Sequence, residues 1–178
     1  MLTGDNATTA RAVAARRSKR DAPVMDDPRN NWLRALRIYL GVSVVLHLVW
    51  ELGQLPLYTI WRDGTAREIA TAIVHCTAGD LMIAALSLVM SLLLFGNRSW
   101  PRECFLIVLT SMLLIGAGYT IYSEWLNTVV RKSWTYTPLM PTLPWIGVGL
   151  SPLMQWLIVP SAAMLAAGRD LGSIFKRK

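Results

Sequence analysis

The chain has 178 residues, 53% of them hydrophobic, and a net charge of +7; its mean hydropathy is +0.39. Charged residues make up 16%, well below the ~25% of soluble domains. This excludes an ordinary soluble domain and sets the class as a small integral membrane protein of one domain. The basic residues gather at the ends of apolar segments, which argues against nucleic acid as the partner.

Residues 1–31 are polar and rich in Ala, Arg and Asp. They lack the apolar core of a signal peptide and are expected to form a disordered basic cytoplasmic tail. The run Arg16-Arg17-Ser18-Lys19-Arg20 suits anionic lipid heads. The first span is expected over 32–52. Its Ser43, His47 and Glu51 fall at i,i+4 steps on one face, and Gln54 continues that face one turn on. Pro56 ends the helix. A short connector follows, with Tyr58 and Trp61 as interfacial anchors.

The second span is expected over 69–95 and contains His75-Cys76-Thr77-Ala78-Gly79-Asp80. Such a helix is ~40 Å long, against a hydrocarbon core of ~30 Å, so it tilts or stands above the bilayer. His75 and Asp80 are five residues apart and diverge by roughly 140° on an ideal helix. Either they serve different neighbours, or a distortion near Gly79 brings them together. The third span is expected over 104–126, with Gly116, Thr120, Ser123, Glu124 and Asn127 in a polar and small-residue stripe flanked by Tyr119 and Tyr122.

Residues 128–144 contain Pro138, Pro141 and Pro144 and cannot be one helix. They read as an ordered cap. The fourth span is expected over 145–168, with kinks at Pro152 and Pro160, a close helix contact at Gly147-x-x-x-Ser151, and Gln155 as its strongly polar side chain. A basic cytoplasmic tail, 169–178, closes the chain. The two cysteines, Cys76 and Cys104, fall near opposite membrane faces, too far apart for a disulfide.

The expected fold is thus all-α: a polytopic four-transmembrane-helix bundle with a Pro/Trp-rich outer loop between helices 3 and 4. With both termini in the cytoplasm, inner segments hold 14 Lys and Arg residues and outer loops 4, the asymmetry of a positive-inside protein. A bacterial inner membrane is the expected location.

In that topology His47, Glu51, His75, Asp80 and Glu124 all fall in the outer half of the bilayer. Ionisable groups at such depth are costly and mark functional sites. No Lys or Arg is expected at the same depth, so the carboxylates must share a cation, pair with histidine, or stay partly protonated. The five are therefore expected to share one pocket, lined by Trp50, Gln54, Cys76, Tyr119, Tyr122, Ser123, Trp125, Asn127 and Gln155. The same five could hold one divalent metal, zinc or iron, or work metal-free as acid and base. Packing pairs that only fix the helices are the plainer alternative for any one of them.

His47-x-x-x-Glu51 resembles, over those two residues, the pattern of four-helix membrane isomerases of the sterol-isomerase kind. The resemblance implies a pocket fit for chemistry on a lipid; His75 to Asp80 has no counterpart in it. Three functions follow from the residues. One is an intramembrane enzyme, metal-dependent or acid/base, acting on a lipid or isoprenoid-like, apolar or amphipathic small molecule from the bilayer. Another is a small proton- or cation-coupled transporter. The third is a non-catalytic subunit or assembly factor pairing with another membrane subunit or with its own copies. Topology reporters fused after Gly64 and Thr137 are expected to report the outer compartment, and those after Asn97 and Lys178 the inner; an outward Lys178 would refute the arrangement.

Overall fold

The computed structural model describes residues 28–175, together with Arg11 and Ala14, with side chains over 32–168 in the continuous part. The expected basic tails, including Arg16-Arg17-Ser18-Lys19-Arg20, lie largely outside the described residues. Helix α1 spans Pro28–Gln54. A 3-10 turn, Leu55–Leu57, carries Pro56 near its start, where a missing N–H is tolerated. A single helical turn, α2, spans Ile60–Asp63. Then come α3, Ala66–Phe95; α4, Phe105–Trp125, running on as a π-helical turn over Leu126–Val130; and α5, Leu150–Phe175. Among the described residues there are no strands, only isolated bridges.

α1, α3, α4 and α5 are long and apolar enough to cross a membrane. They pack as a four-membered ring: α1 contacts α3 and α5, and α4 contacts the same two. The bundle is inside-out relative to a soluble one. Its outer faces present Val45, Val49, Val74, Leu86, Leu93, Leu106 and Leu114, while Ser43, His47, Glu51 and Gln155 are buried. Such broad apolar faces call for an apolar surround.

The starts of three helices differ from expectation, each for a local reason. α1 begins at Pro28, a residue suited to a helical first turn. α3 begins at Ala66 because Thr65 and Glu68 form a capping box: Glu68 N–H donates to Thr65 Oγ1 (3.3 Å) and Thr65 N–H to Glu68 Oε2 (2.8 Å). α5 begins at Leu150, five residues later than expected. Trp145 and Gly147 adopt positive φ, 70° and 65°, and Trp145 is fully exposed. Gly147 therefore lies outside the helix and forms no small-residue helix contact with Ser151. Pro152 falls in the first turn of α5, where it breaks no helical hydrogen bond.

The loops at one end of the bundle are stitched together. Thr59 N–H donates to Thr135 O (3.0 Å) and Thr137 N–H to Leu57 O (2.9 Å), around an antiparallel bridge between Tyr58 and Tyr136. Thr137 Oγ1 also donates to Pro56 O at 3.1 Å. The segment 131–149 is thus an ordered cap over this end.

Deeper in the bundle, Trp156 of α5 is 1% exposed and lies flat against Gly116 of α4. A Cβ on Gly116 would meet Trp156 ring carbons at 2.3 and 2.4 Å. Gly116→Ala is expected to destabilise the protein by about 1–3 kcal/mol through overpacking, measured by reversible unfolding in mixed micelles. Gly118 meets nothing within 4 Å, and Gly118→Ala is expected to stay within about 0.5 kcal/mol of the parent.

Candidate functional site

The site is built on the buried stripe of α1. Ala35, Tyr39, Ser43, His47 and Glu51 recur every fourth residue, with Gln54 next, and none is more than 8% exposed. The lower part of the stripe packs: Tyr39 Oη donates to Ala84 O at 3.4 Å and lies 3.4 Å from Met112 Sδ. The upper part faces Gln155 of α5.

Gln155 is 1% exposed, and its side-chain amide is the hub. Its Nε2 lies 2.8 Å from Asp80 Oδ2, 2.9 Å from His47 Nδ1 and 3.3 Å from Glu51 Oε1. An amide nitrogen has two hydrogens, so the three acceptors share them. α3 and α5 are not neighbours in the ring, so the Gln155 side chain spans the bundle's centre to join Asp80 to α1.

Because His47 Nδ1 accepts from Gln155, its proton belongs on Nε2. That Nε2 is buried without a hydrogen-bond partner among the described residues. The imidazole lies 5.8 Å from the Trp156 ring. Asp80 Oδ2 stands 3.5 Å from His47 Nδ1. Glu51 Oε1 and Asp80 Oδ2 thus meet the same Gln155 nitrogen, which holds the two carboxyls side by side.

One turn toward the cap, Gln54 Nε2 donates to Glu51 Oε1 at 2.8 Å. Ser151 Oγ donates to Gln54 Oε1 at 2.9 Å, and Trp50 Nε1 to Ser151 Oγ at 3.3 Å. This chain holds Glu51 from above. Accessibility is graded: the side chain of His47 is closed off while that of Asp80 is 16% exposed, so Asp80 is the outermost of the three acceptors around Gln155.

Glu124 of α4 forms a second station. Tyr136 Oη donates to Glu124 Oε2 and accepts from Gly149 N–H at 3.0 Å. A Cβ on Gly149 would lie 3.0 Å from the Tyr136 ring, so a glycine there lets the cap close on the phenol. Burial, then the Glu124 charge, push the Tyr136 phenol above its ordinary range, which keeps its proton in place as a donor. Glu124 and Asp80 are close enough for their charges to interact. The same holds for Cys76 with Glu51, Asp80 and Glu124.

The structure therefore brings together His47, Glu51, Asp80, Gln54 and Gln155, with Trp50 attached through Ser151 and with Cys76 and Glu124 at the margin. It does not bring in His75. α3 is continuous through Gly79, the divergence of roughly 140° persists, and His75 is exposed on another face. A site built on two histidines is thereby removed. Tyr119, Tyr122 and Trp125 also face outward, 48%, 55% and 42% exposed. Ser123 and Asn127 bond to each other, Asn127 Nδ2 donating to Ser123 O at 2.9 Å.

Among the described residues, no group of three or more His, Cys, Asp and Glu is placed to hold a metal ion. The centre is occupied by the N–H groups of Gln155, which donate and cannot ligate. Among the described residues the cluster thus does not fit the single zinc or iron ion that the sequence left open beside a metal-free site. Both cysteines are free.

Ser151 and Tyr136 are functional partners the site set from sequence omits. Ser151 is one turn from Gln155, a signal within reach; Tyr136 lies in an aperiodic loop and carries none. Compared with family models, curated proteins and solved structures, the chain shows no match.

Gln155→Leu is expected to destabilise the bundle by about 1–3 kcal/mol, because His47, Asp80 and Glu51 lose a common partner while staying buried. Unfolding in mixed micelles measures it. Tyr122→Phe, on the outward face, is expected to change stability by less than about 0.5 kcal/mol.

Proposed function

We propose that this chain is a multi-pass membrane protein that carries out metal-free acid/base chemistry on an apolar or amphipathic small molecule drawn from the bilayer. The observation that carries this reading is the pair of carboxyls, Glu51 and Asp80, gathered with His47 on the Gln155 amide. Two carboxyl groups held together in this way can divide the roles of acid and base between them. Asp80, the more exposed, takes a proton from the substrate; Glu51, held by Gln54 and Gln155, returns one to another atom of the same molecule. The sum is an isomerisation, with no net proton gained or lost.

Three buried polar atoms without hydrogen-bond partners among the described residues support a polar guest here. They are His47 Nε2, Thr77 Oγ1 and Thr120 Oγ1. Thr77 and Thr120 sit one turn from Asp80 and Glu124, respectively. Buried groups left unsatisfied call for a ligand or water. Past Asp80 the core is filled by Tyr39, Ala84, Leu88 and Met112, none more than 1% exposed, which favours chemistry at the site over passage through it. The 14-to-4 distribution of Lys and Arg supports placing the cap outside and both termini in the cytoplasm.

The test is solvent exchange. The purified protein is incubated with a total membrane lipid extract in D2O, and the lipids are read by mass spectrometry. Deuterium is expected to enter one lipid species, and the exchange is expected to fall by at least about 100-fold in Glu51→Gln and in Asp80→Asn, the scale of general acid–base catalysis. His75→Ala is expected to exchange normally. Absence of exchange in the parent protein would favour a packing or assembly role for the cluster.

A further inference from the structure

The residue that the buried cluster leaves out has surroundings of its own. His75 lines a groove of about 590 Å³ with Ile60, Thr65, Arg67, Glu68, Thr71 and Ala72. Arg67, Thr71 and His75 follow one another at i,i+4 steps along α3, so they form one polar stripe. All three are exposed. The Glu68 carboxylate accepts from Thr65 N–H and Thr65 Oγ1, both at 2.8 Å, and is engaged in capping α3. Thr71 Oγ1 donates to Arg67 O at 2.8 Å. The Arg67 guanidinium and the His75 imidazole make no hydrogen bond or ion pair with any described residue.

The depth of this stripe follows from helix length. From Cys76 to Phe95, α3 rises about 30 Å, the thickness of a hydrocarbon core. Beyond His75 its outward face is apolar: Met82, Leu86, Val89, Met90, Leu93 and Leu94 are all exposed. With that stretch in the hydrocarbon, His75 stands at its edge, and Thr71 and Arg67 rise from it through the headgroup layer, about 6 and 12 Å further along the helix. The groove joins a lone cation and a ring N–H donor to the apolar flanks of Ile60 and Ala72. That is the chemistry of a phosphate with an acyl chain beneath it.

We infer that this groove binds the headgroup of an anionic phospholipid, with Arg67 on the phosphate and His75 donating to the same headgroup from about two turns deeper. This rests on the membrane-spanning reading of α3 and is independent of the acid/base reading of Glu51 and Asp80. The test is native mass spectrometry of the full-length protein in detergent, titrated separately with phosphatidylglycerol, phosphatidylcholine and inorganic phosphate. The parent protein is expected to retain one phosphatidylglycerol at least fivefold more strongly than phosphatidylcholine. Arg67→Ala and His75→Ala are each expected to lose that retention by fivefold or more, with unchanged unfolding temperature and unchanged deuterium exchange. Arg131→Ala, in the cap, is expected to retain the lipid. Equal retention by the Arg67 and His75 variants would overturn the site. Displacement of the lipid by millimolar inorganic phosphate would overturn it as a lipid site and leave a phosphate site.

Discussion

The structure turns on one side-chain amide. In an apolar surround, a buried polar group without a partner costs a large fraction of a small protein's stability. His47, Glu51 and Asp80 are three such groups on two helices, and the hydrogen-bond partner they share is not a Lys or Arg but an amide. Gln155 meets all three at once. This fixes the rotation of α1 about its axis, since His47 and Glu51 must both face α5. It also fixes the register of α3, since Asp80 must come level with Gln155. The Gly116–Trp156 contact performs the same office for α4: only a residue without a side chain lets the indole lie this close. Polar satisfaction and steric fit thus bring four helices to one level.

Above that level the cap continues the pattern. Glu124 would be left buried among apolar helices, and its partner, Tyr136, comes from an aperiodic loop held by backbone hydrogen bonds to the segment after α1. Closing the cap and satisfying Glu124 are therefore one event. The lower core is packed by side chains of the spans, whereas Glu124 takes its partner from the cap.

What could be read from the sequence divides along the same physical line. Helical periodicity is local, so the Ser43–His47–Glu51–Gln54 face and the number of spans were legible in it. The Thr65-x-x-Glu68 box that starts α3 was legible too, and hydropathy alone overlooks it. Depth, as read from the sequence, grouped five ionisable residues at one end of the spans. Direction around the helix is a separate coordinate. Depth carries no information on it, which is why His75 was grouped with Asp80 although one faces out and the other in. The fourth span was placed too early because Trp145 to Gly149 are apolar or small. Their helical fate depended on φ values at Trp145 and Gly147 that hydropathy does not report. Tyr136 was beyond reach, since nothing in an irregular loop specifies which carboxylate it will meet.

The separation of His75 from Asp80 gives α3 two chemistries rather than one. On the inward face, Thr77, Asp80, Ala84, Ser87, Leu88 and Ser91 follow heptad-like spacing, and Asp80 belongs to the buried pair. On the outward face, polarity stops at His75 and the remainder is apolar. A lipid held by its headgroup at Arg67 and His75 would lay its chains along that outward face. Asp80, at 16% exposure the outermost acceptor around Gln155, lies five residues further along the same helix, about 7 Å by rise alone. The proposed headgroup groove and the proposed acid/base pair are therefore near one another along α3 and separated in angle. A lipid in the groove would lie beside the carboxyl pair without reaching it. The two sites share a rigid element and no side chain, so substitution in one leaves the residues of the other in place.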